Sequence, residues 1–313
     1  MARHARCAGS VSMNRSAVLA ASLFRITLLA LCVLLGGRGA QAQQAADVPY
    51  VSTPWNVVAA MLDIARVNAN DYLIDLGSGD GRIVIEAAKT LGVRGVGVEL
   101  DGNLVFASRE EAKRQGVTGK ATFTQGNLFN FDISKATVLT MYLLPQINLQ
   151  LRPRLLTQLR PGTRIVSHDF DMGEWNPDQH REIAVPNKSY GPPVSQIYLW
   201  YVPADVAGTW RWQLTFGGET HTYEAKIDQR FQALDAVMLV DGGSAVSQNL
   251  RLRGELFDFT LVREMYGRKV SHAVSGRIEG DTAIGRARIT DGNENTTQDW
   301  RATRIARGRM RAE

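Results

Sequence analysis

Residues 72–81 read Tyr-Leu-Ile-Asp-Leu-Gly-Ser-Gly-Asp-Gly, and this run restricts the fold more than any other stretch of the chain. Tyr72–Leu76 is a short apolar segment suited to a parallel strand buried on both faces. Gly77, Gly79 and Gly81 then punctuate a tight turn, and residues 82–90 resume with helical spacing. Strand, glycine turn and helix make a loop whose backbone can approach a ligand closely, beside the positive end of a helix dipole. A dinucleotide fingerprint would place its third glycine one position later, where Arg82 stands. Residues 95–99 predict a second short strand ending in Glu99, and a carboxylate at such a tip can accept hydrogen bonds from vicinal ribose hydroxyls.

Strand and helix patterns alternate over residues 50–203, the signature of an α/β fold with a doubly wound, Rossmann-like parallel sheet. Thr53-Pro54 marks a helix start, with Thr as N-cap and Pro in the first turn, opening a helix over 55–67. A helix over 104–115 presents a solvated face of Arg, Lys and Glu. Further strands are expected at 121–125, 137–144 and 163–170, with a helix over 149–159 closed by Arg160-Pro161-Gly162. Residues 171–193 read as a loop, followed by a last strand at 196–202. From residue 204 the texture changes to short apolar runs at 209–216, 222–229, 233–240, 249–253, 256–264, 270–278, 283–289 and 300–305, split by Gly and Asp. Such regular turn signals without helix patterns predict a C-terminal antiparallel β barrel or sandwich over 204–313, able to fold alone. Trp210, Trp212 and Trp300 are assigned to its core, His221 and His272 to packing and not to a metal site, and the arginines of 301–311 to a frayed, solvated end.

The first 42 residues carry Arg3, Arg6, Arg15, Arg25 and Arg38 and no acid. Residues 26–35 are apolar and Ala40-Gln41-Ala42 is a small-residue cleavage signal, so 1–42 reads as a signal peptide, with an N-terminal anchor as the alternative. Arg25 leaves the apolar stretch short for a membrane span. Of the 36 Lys and Arg in the chain these are five, and the remaining 31 face 31 Asp and Glu. The mature chain, beginning with a domain over 43–203, is therefore neutral and gives no ground for a nucleic-acid partner. Cys7 and Cys32 both fall in the same segment, which leaves the rest without thiol, disulfide or cysteine metal site.

The Gly-x-Gly-x-Gly spacing, with Asp75 ahead of it and Glu99 at the next strand end, resembles motif I of the class I S-adenosylmethionine-dependent methyltransferases. The resemblance implies a seven-strand sheet whose last strand runs antiparallel within a hairpin. It implies S-adenosyl-L-methionine as cofactor, held by Asp75, Gly77, Ser78, Gly79, Asp80, Gly81 and Glu99. It also puts Asn127 at the adenine, where the family often has Asp; the Asn oxygen can accept from the amino group and its amide can donate to a ring nitrogen. A narrower likeness rests on Tyr50-Val51-Ser52-Thr53-Pro54, the 75–84 run, Gly126-Asn127-Leu128-Phe129 and Tyr142-Leu143-Leu144-Pro145-Gln146, in that order. Over residues 49–176 the chain is similar to the lysine methyltransferases of the mitochondrial adenine nucleotide translocase and of the ATP synthase c subunit. That likeness adds Tyr50 and Thr53 to the cofactor site and implies a protein substrate; Ser167-His168-Asp169-Phe170 departs from the family's pattern.

Methyl transfer is an in-line displacement that needs alignment and relief of the sulfonium charge more than a covalent relay. A lysine nucleophile must also lose a proton from a reference pKa of about 10.4, and desolvation against apolar walls lowers that value. Tyr142, at the end of the fourth strand, either stands where the nucleophile meets the methyl group or packs in the core. Asp169 follows the fifth strand on the same edge and can take or orient a proton, whereas Asp171 reads as solvated. His168 is a base or a structural residue. Two functions fit the chain: a protein-lysine methyltransferase, and an exported, non-catalytic binding protein that keeps the methyltransferase fold. The signal segment favours the second, because S-adenosylmethionine is made in the cytoplasm and the arginine excess ahead of residue 26 places the domain outside. The intact glycine turn favours the first. The expected location is exported, periplasmic or membrane-anchored, with an envelope association.

Overall fold

The computed structural model describes residues 50–189, 191–265, 267–292 and 294–312; the expected signal segment lies outside them. Residues 50–313 form one compact unit. Its first half carries strands β1 (Tyr72–Leu76), β2 (Arg94–Glu99), β3 (Ala121–Gln125), β4 (Val138–Met141), β5 (Arg164–His168), β6 (Gln179–Ala184) and β7 (Val194–Tyr201). They form a seven-stranded sheet in the order β3-β2-β1-β4-β5-β7-β6. The first five are parallel, and β7 runs antiparallel between β5 and β6. Helices α1 (Trp55–Ile64), α2 (Arg82–Leu91), α3 (Gly102–Arg114) and α4 (Pro145–Gln158) cover the two faces. Alternation along β1 divides the core. Leu73 packs with Val57, Met61 and Ile83 of α1 and α2, while Ile74 and Leu76 pack with Leu151 and Leu155 of α4. With both faces covered, the strand needs apolar residues at consecutive positions, which is why it reads as a continuous run.

Several local expectations are corrected. Thr53 does not cap α1: Pro54 occupies the cap position, and no side chain caps the helix. The fixed φ of proline starts the helix without help, and Thr53 turns inward, its hydroxyl 3.3 Å from His168 Nδ1. β4 stops at Met141 and not at 144, because Pro145 opens α4 ahead of the expected residue 149. The 171–193 segment is not loop throughout; β6 pairs with β7 from Gln179↔Leu199 to Ala184↔Val194. Its side chains are mostly exposed and polar, so the strand is made by backbone bonds and carries no apolar pattern to read.

The second half consists of β8 (Gly208–Phe216), β9 (Glu219–Arg230), β10 (Ala233–Val240), β11 (Gly243–Arg253), β12 (Leu256–Met265), β13 (Arg268–Glu279), β14 (Thr282–Asp291) and β15 (Glu294–Arg307). They close into an antiparallel barrel and not a sandwich. Trp210, Trp212, Phe257, Phe259 and Trp300 fill it. Gly276 and Gly285 face each other in the wall between Phe257 and Trp300, and their missing side chains give those two rings room to meet at 5.2 Å. The remaining void is about 40 Å³, so the interior is a core packed by its own side chains and not a ligand chamber. His221 bonds Asp241 and His272 bonds the Tyr223 hydroxyl, at 2.7 and 2.8 Å. The 301–311 arginines are not a frayed end. β15 runs to Arg307, and Arg304 is buried between Asp205 and Asp281 with its guanidinium over the Trp210 ring. Among the described residues no helix is long and apolar enough to cross a membrane, and no group of three His, Cys, Asp or Glu could hold a metal.

Candidate active site

The order of strands reverses between the parallel neighbours β1 and β4, with β2 and β3 added on one side and β5 on the other, and such a switch point opens a crevice at the C-terminal edge of a parallel sheet. The glycine turn lies there. Gly77, Gly79 and Gly81 have φ of 72°, 53° and 78°. A Cβ on Gly79 would enter the Tyr50 ring, and one on Gly81 would stand 2.5 Å from Phe123, so space and backbone both require glycine. Gly79 N donates to Glu99 Oε2 at 2.9 Å, and Glu99 Oε1 accepts from the backbone N–H groups of Leu100 and Asp101 at 2.7 and 3.0 Å. A carboxylate offers about four acceptor sites; three are taken, so Glu99 is held rigid with capacity for a further donor.

Tyr50 is half-exposed above Gly79, and its hydroxyl accepts from Asp80 N at 3.3 Å. Burial, followed by the Asp80 charge, pushes its phenol up to about 12, so it stays protonated. Burial pushes Asp80 up as well, but Arg82 outweighs it and holds the carboxyl below the usual carboxylate range. Arg82 in turn donates to Thr53 O at 2.8 Å and lies over the Trp55 ring. Asn127 is exposed beyond β3, with its Oδ1 accepting from Phe129 N at 2.9 Å, which directs the amide donors away from its own turn. Two predicted residues sit behind the turn. Asp75 is 2% exposed and accepts from the Thr140 hydroxyl at 2.7 Å; burial, against that bond and with Glu99 and Asp80 adding, raises it to about 7. Ser78 is buried with its hydroxyl unpartnered. Glu99, with an acceptor site to spare, and the exposed Asn127 form a donor and acceptor set that suits a nucleoside.

A second cluster occupies the same edge beyond β4 and β5. Tyr142 lies on the His168 ring, centroids 3.9 Å apart, and its hydroxyl points at Asp169 Oδ2 from 3.4 Å. Asp169 has a left-handed φ of 61°. Its Oδ1 accepts from Gln196 N at 2.9 Å, and Lys188 Nζ stands 2.7 Å from Oδ2. Both side chains of that ion pair are more than nine-tenths buried. His168 is 1% exposed, between Thr53 and the Ser195 hydroxyl at 2.9 Å from Nε2. Burial, aided by Lys188 and opposed by Asp169, lowers it to about 4, so the ring stands neutral between the two hydroxyls. Asn148 of α4, fully buried, donates toward Ser167 Oγ and the carbonyls of Phe170 and Asp171. Asp171 is exposed and accepts from Gly173 N. Sequence reasoning missed Lys188, Ser195, Gln196 and Asn148. None sits in a motif; a lysine in a run rich in Pro, Asn and Gly carries no local signal that it folds back onto Asp169.

Residues 75–179 match the family model for the ANTKMT methyltransferase domain. A protein-lysine N-methyltransferase of Saccharolobus islandicus (strain REY15A) is 44% identical over 156 residues, which are 50% of this chain and 94% of that protein. The lysine N-methyltransferase of the ATP synthase c subunit from Homo sapiens is 36% identical over 131 residues, 42% of this chain and 55% of that one; the chain thus spans little more than half of the human enzyme. A solved structure from Salinibacter ruber, described as an RNA methyltransferase in complex with S-adenosyl-L-homocysteine, is 51% identical with a TM-score of 0.46, covering 50% of this chain and 96% of that one.

Proposed function

The chain belongs to the family of seven-strand, S-adenosylmethionine-dependent lysine methyltransferases, and from that membership we propose that it methylates side-chain nitrogens of lysines in a protein substrate. The observation that carries the reading is the pairing of two half-sites on one sheet edge: the Gly79–Glu99 turn and the Tyr142–Asp169 cluster. When bound, S-adenosylmethionine would supply a methyl group on a sulfonium, to be transferred from sulfur to the lone pair of a lysine nitrogen. On the cofactor side Glu99 would accept from a ribose hydroxyl, Asn127 would meet the base, and Tyr50 with Asp80 would close over the turn. On the acceptor side Asp169, itself held by Lys188 and Gln196 N, orients the Tyr142 hydroxyl, while the ring of Tyr142, backed by His168, supplies a wall that disfavours the charged amine. The amine gives up its proton to solvent water before its lone pair attacks. The acidic groups at the turn, Asp80 and Glu99, would complement a cofactor that is cationic at sulfur and at its amino group.

The reading is tested in two steps on the full chain. Titration calorimetry with S-adenosylhomocysteine should give a saturable heat, and folded protein without one would remove the cofactor assignment. Incubation with tritium-labelled S-adenosylmethionine and total cell extract should then label protein that resists nuclease, with methylated lysine recovered by mass spectrometry. Label that is lost to ribonuclease would move the acceptor to RNA. We also propose, from the arginine-rich apolar segment at 1–42, that the protein reaches the cell envelope; fractionation that finds the full chain wholly in the cytosol would reject it.

A further inference from the structure

The turn between β9 and β10 grips the loop that follows Asp169 through three consecutive pairs. Arg230 forms an ion pair with Glu174. Phe231 stacks on Trp175, with centroids 5.7 Å apart and planes 7° from parallel. Gln232 Nε2 donates to Asn176 O at 2.6 Å. Phe231 and Trp175 are 2% and 0% exposed, and Phe231 belongs to the apolar core of the sheet, with Leu151, Leu155 and Trp200, and not to the core of the barrel from which it projects. Its φ of 52° is left-handed, a conformation that costs a bulky residue about 1–2 kcal/mol and so persists only where the ring gains more by insertion. From α4, Arg152 lies over the same ring at 5.3 Å and donates to Met172 O at 2.9 Å.

The gripped loop leads directly back to the acceptor cluster. Trp175 is joined to Asp169 through residues 170–174, and the carbonyls of Phe170, Asp171 and Met172 are held by Asn148 and Arg152. Among the described residues the cofactor side has no such tie: Gly79, Glu99 and Asn127 follow β1, β2 and β3, on the far side of β4 from β5. We infer that Phe231 is a positioning residue for methyl transfer, and that the barrel fixes the acceptor side of the site while leaving the cofactor side untouched. The inference rests on the methyltransferase reading above and assigns the barrel a task in turnover, although its own interior holds no chemistry.

The experiment compares Phe231→Ala, Phe231→Leu and Gln232→Ala in the full chain. Calorimetry with S-adenosylhomocysteine reads the cofactor side, and the maximal rate of tritium incorporation into cell-extract protein reads transfer. Phe231→Ala should keep S-adenosylhomocysteine affinity within about twofold and lower the maximal rate by about ten- to a hundredfold, the scale of a reacting group displaced by an ångström or so. Phe231→Leu, which restores an apolar filler, should recover most of the rate. Gln232→Ala removes one exposed hydrogen bond and cannot unfold the protein, so it keeps the test open should Phe231→Ala not fold; it should slow transfer several-fold with cofactor affinity unchanged. An unchanged rate in folded Phe231→Ala, or in Gln232→Ala if the first variant does not fold, overturns the inference. So does a parallel loss of rate and affinity, which would mean general loosening. Wild-type protein that binds no S-adenosylhomocysteine fails at the earlier step and overturns the reading beneath it.

Discussion

Gly79 has no tolerance for a side chain, since its φ of 53° is left-handed and its open face is covered by the Tyr50 ring. Gly79→Ala should cost about 1–2 kcal/mol in stability from the backbone alone. Its larger effect should be on ligand binding, because the N–H that fixes Glu99 moves with it. Calorimetry should find S-adenosylhomocysteine affinity reduced at least tenfold, and an affinity equal to wild type would show that the turn adapts. Glu99 separates two further roles. Glu99→Ala removes the acceptor of three backbone N–H groups and should weaken binding by about ten- to a hundredfold, the worth of one or two charge-assisted bonds. Glu99→Gln keeps one acceptor oxygen and should lie between the two; equal affinity in all three would return Glu99 to an ordinary strand-end residue. These residues were legible in the sequence because the turn is a local object: spacing, glycine and strand pattern occur within 72–99. Thr53 and Asp75 were recognised within the same motifs, yet their inward placement depends on His168 and Thr140, residues far along the chain, and no short-range pattern encodes that.

At the element scale, long periodic segments were readable and segments held by backbone alone were not. β1 and β3 carry the expected bounds because apolar runs end at glycine or polar turns. β6 escaped notice because its pairing with β7 leaves its side chains in water. β5, β7 and the start of α1 are joined by His168, which bonds Thr53 and Ser195, and this joint gives the fold a pH dependence with a definite sign. His168 titrates near 4 in the folded protein against an ordinary value near 6.5, as does His272. The unfolded chain therefore takes up protons first as pH falls. Stability from each histidine is complete above pH 6.5 and is lost toward pH 4, by at most about 3 kcal/mol apiece. Asp75, raised to about 7, acts in the opposite sense: the folded form holds its proton longer, and its contribution is lost as pH rises from the ordinary carboxylate range to 7. Urea denaturation between pH 7 and 4.5 should show falling stability in the wild type, a flatter decline in His168→Gln and a steeper one in Asp75→Asn. Identical slopes in all three would show that neither group is held as the folded structure indicates.

For the whole molecule, the place where the sequence changes texture and the place where the cores divide are different. The proposed covalent boundary falls between residues 203 and 204, where strand-and-helix patterns give way to hairpins, and composition marks it clearly. The apolar boundary is displaced, because Phe231 of the barrel is buried in the sheet-side core against Trp175. Around it, Ala204 N donates to Gly254 O at 2.8 Å, a Cβ on Gly254 would stand 2.7 Å from Gly162 Cα, and Arg253 lies 4.1 Å above the Tyr201 ring. None of this could be read from sequence: Phe231 looks like one more apolar residue beside a turn, and its partner is in a loop without periodicity. Two halves that share an aromatic contact of this kind should unfold together, although pattern alone suggested that each would stand by itself. Scanning calorimetry of residues 50–313 should therefore show a single transition. A 50–203 fragment loses the Phe231 ring from the Trp175 pocket, a deletion on the scale of a buried Phe→Ala change at about 3–5 kcal/mol, and its midpoint should fall by roughly 10 °C. Below that midpoint it should still bind S-adenosylhomocysteine, since Gly79, Glu99 and Asn127 take no support from the barrel. Two resolved transitions in the intact protein, with a fragment as stable as the first of them, would show that the clasp joins the halves without coupling them.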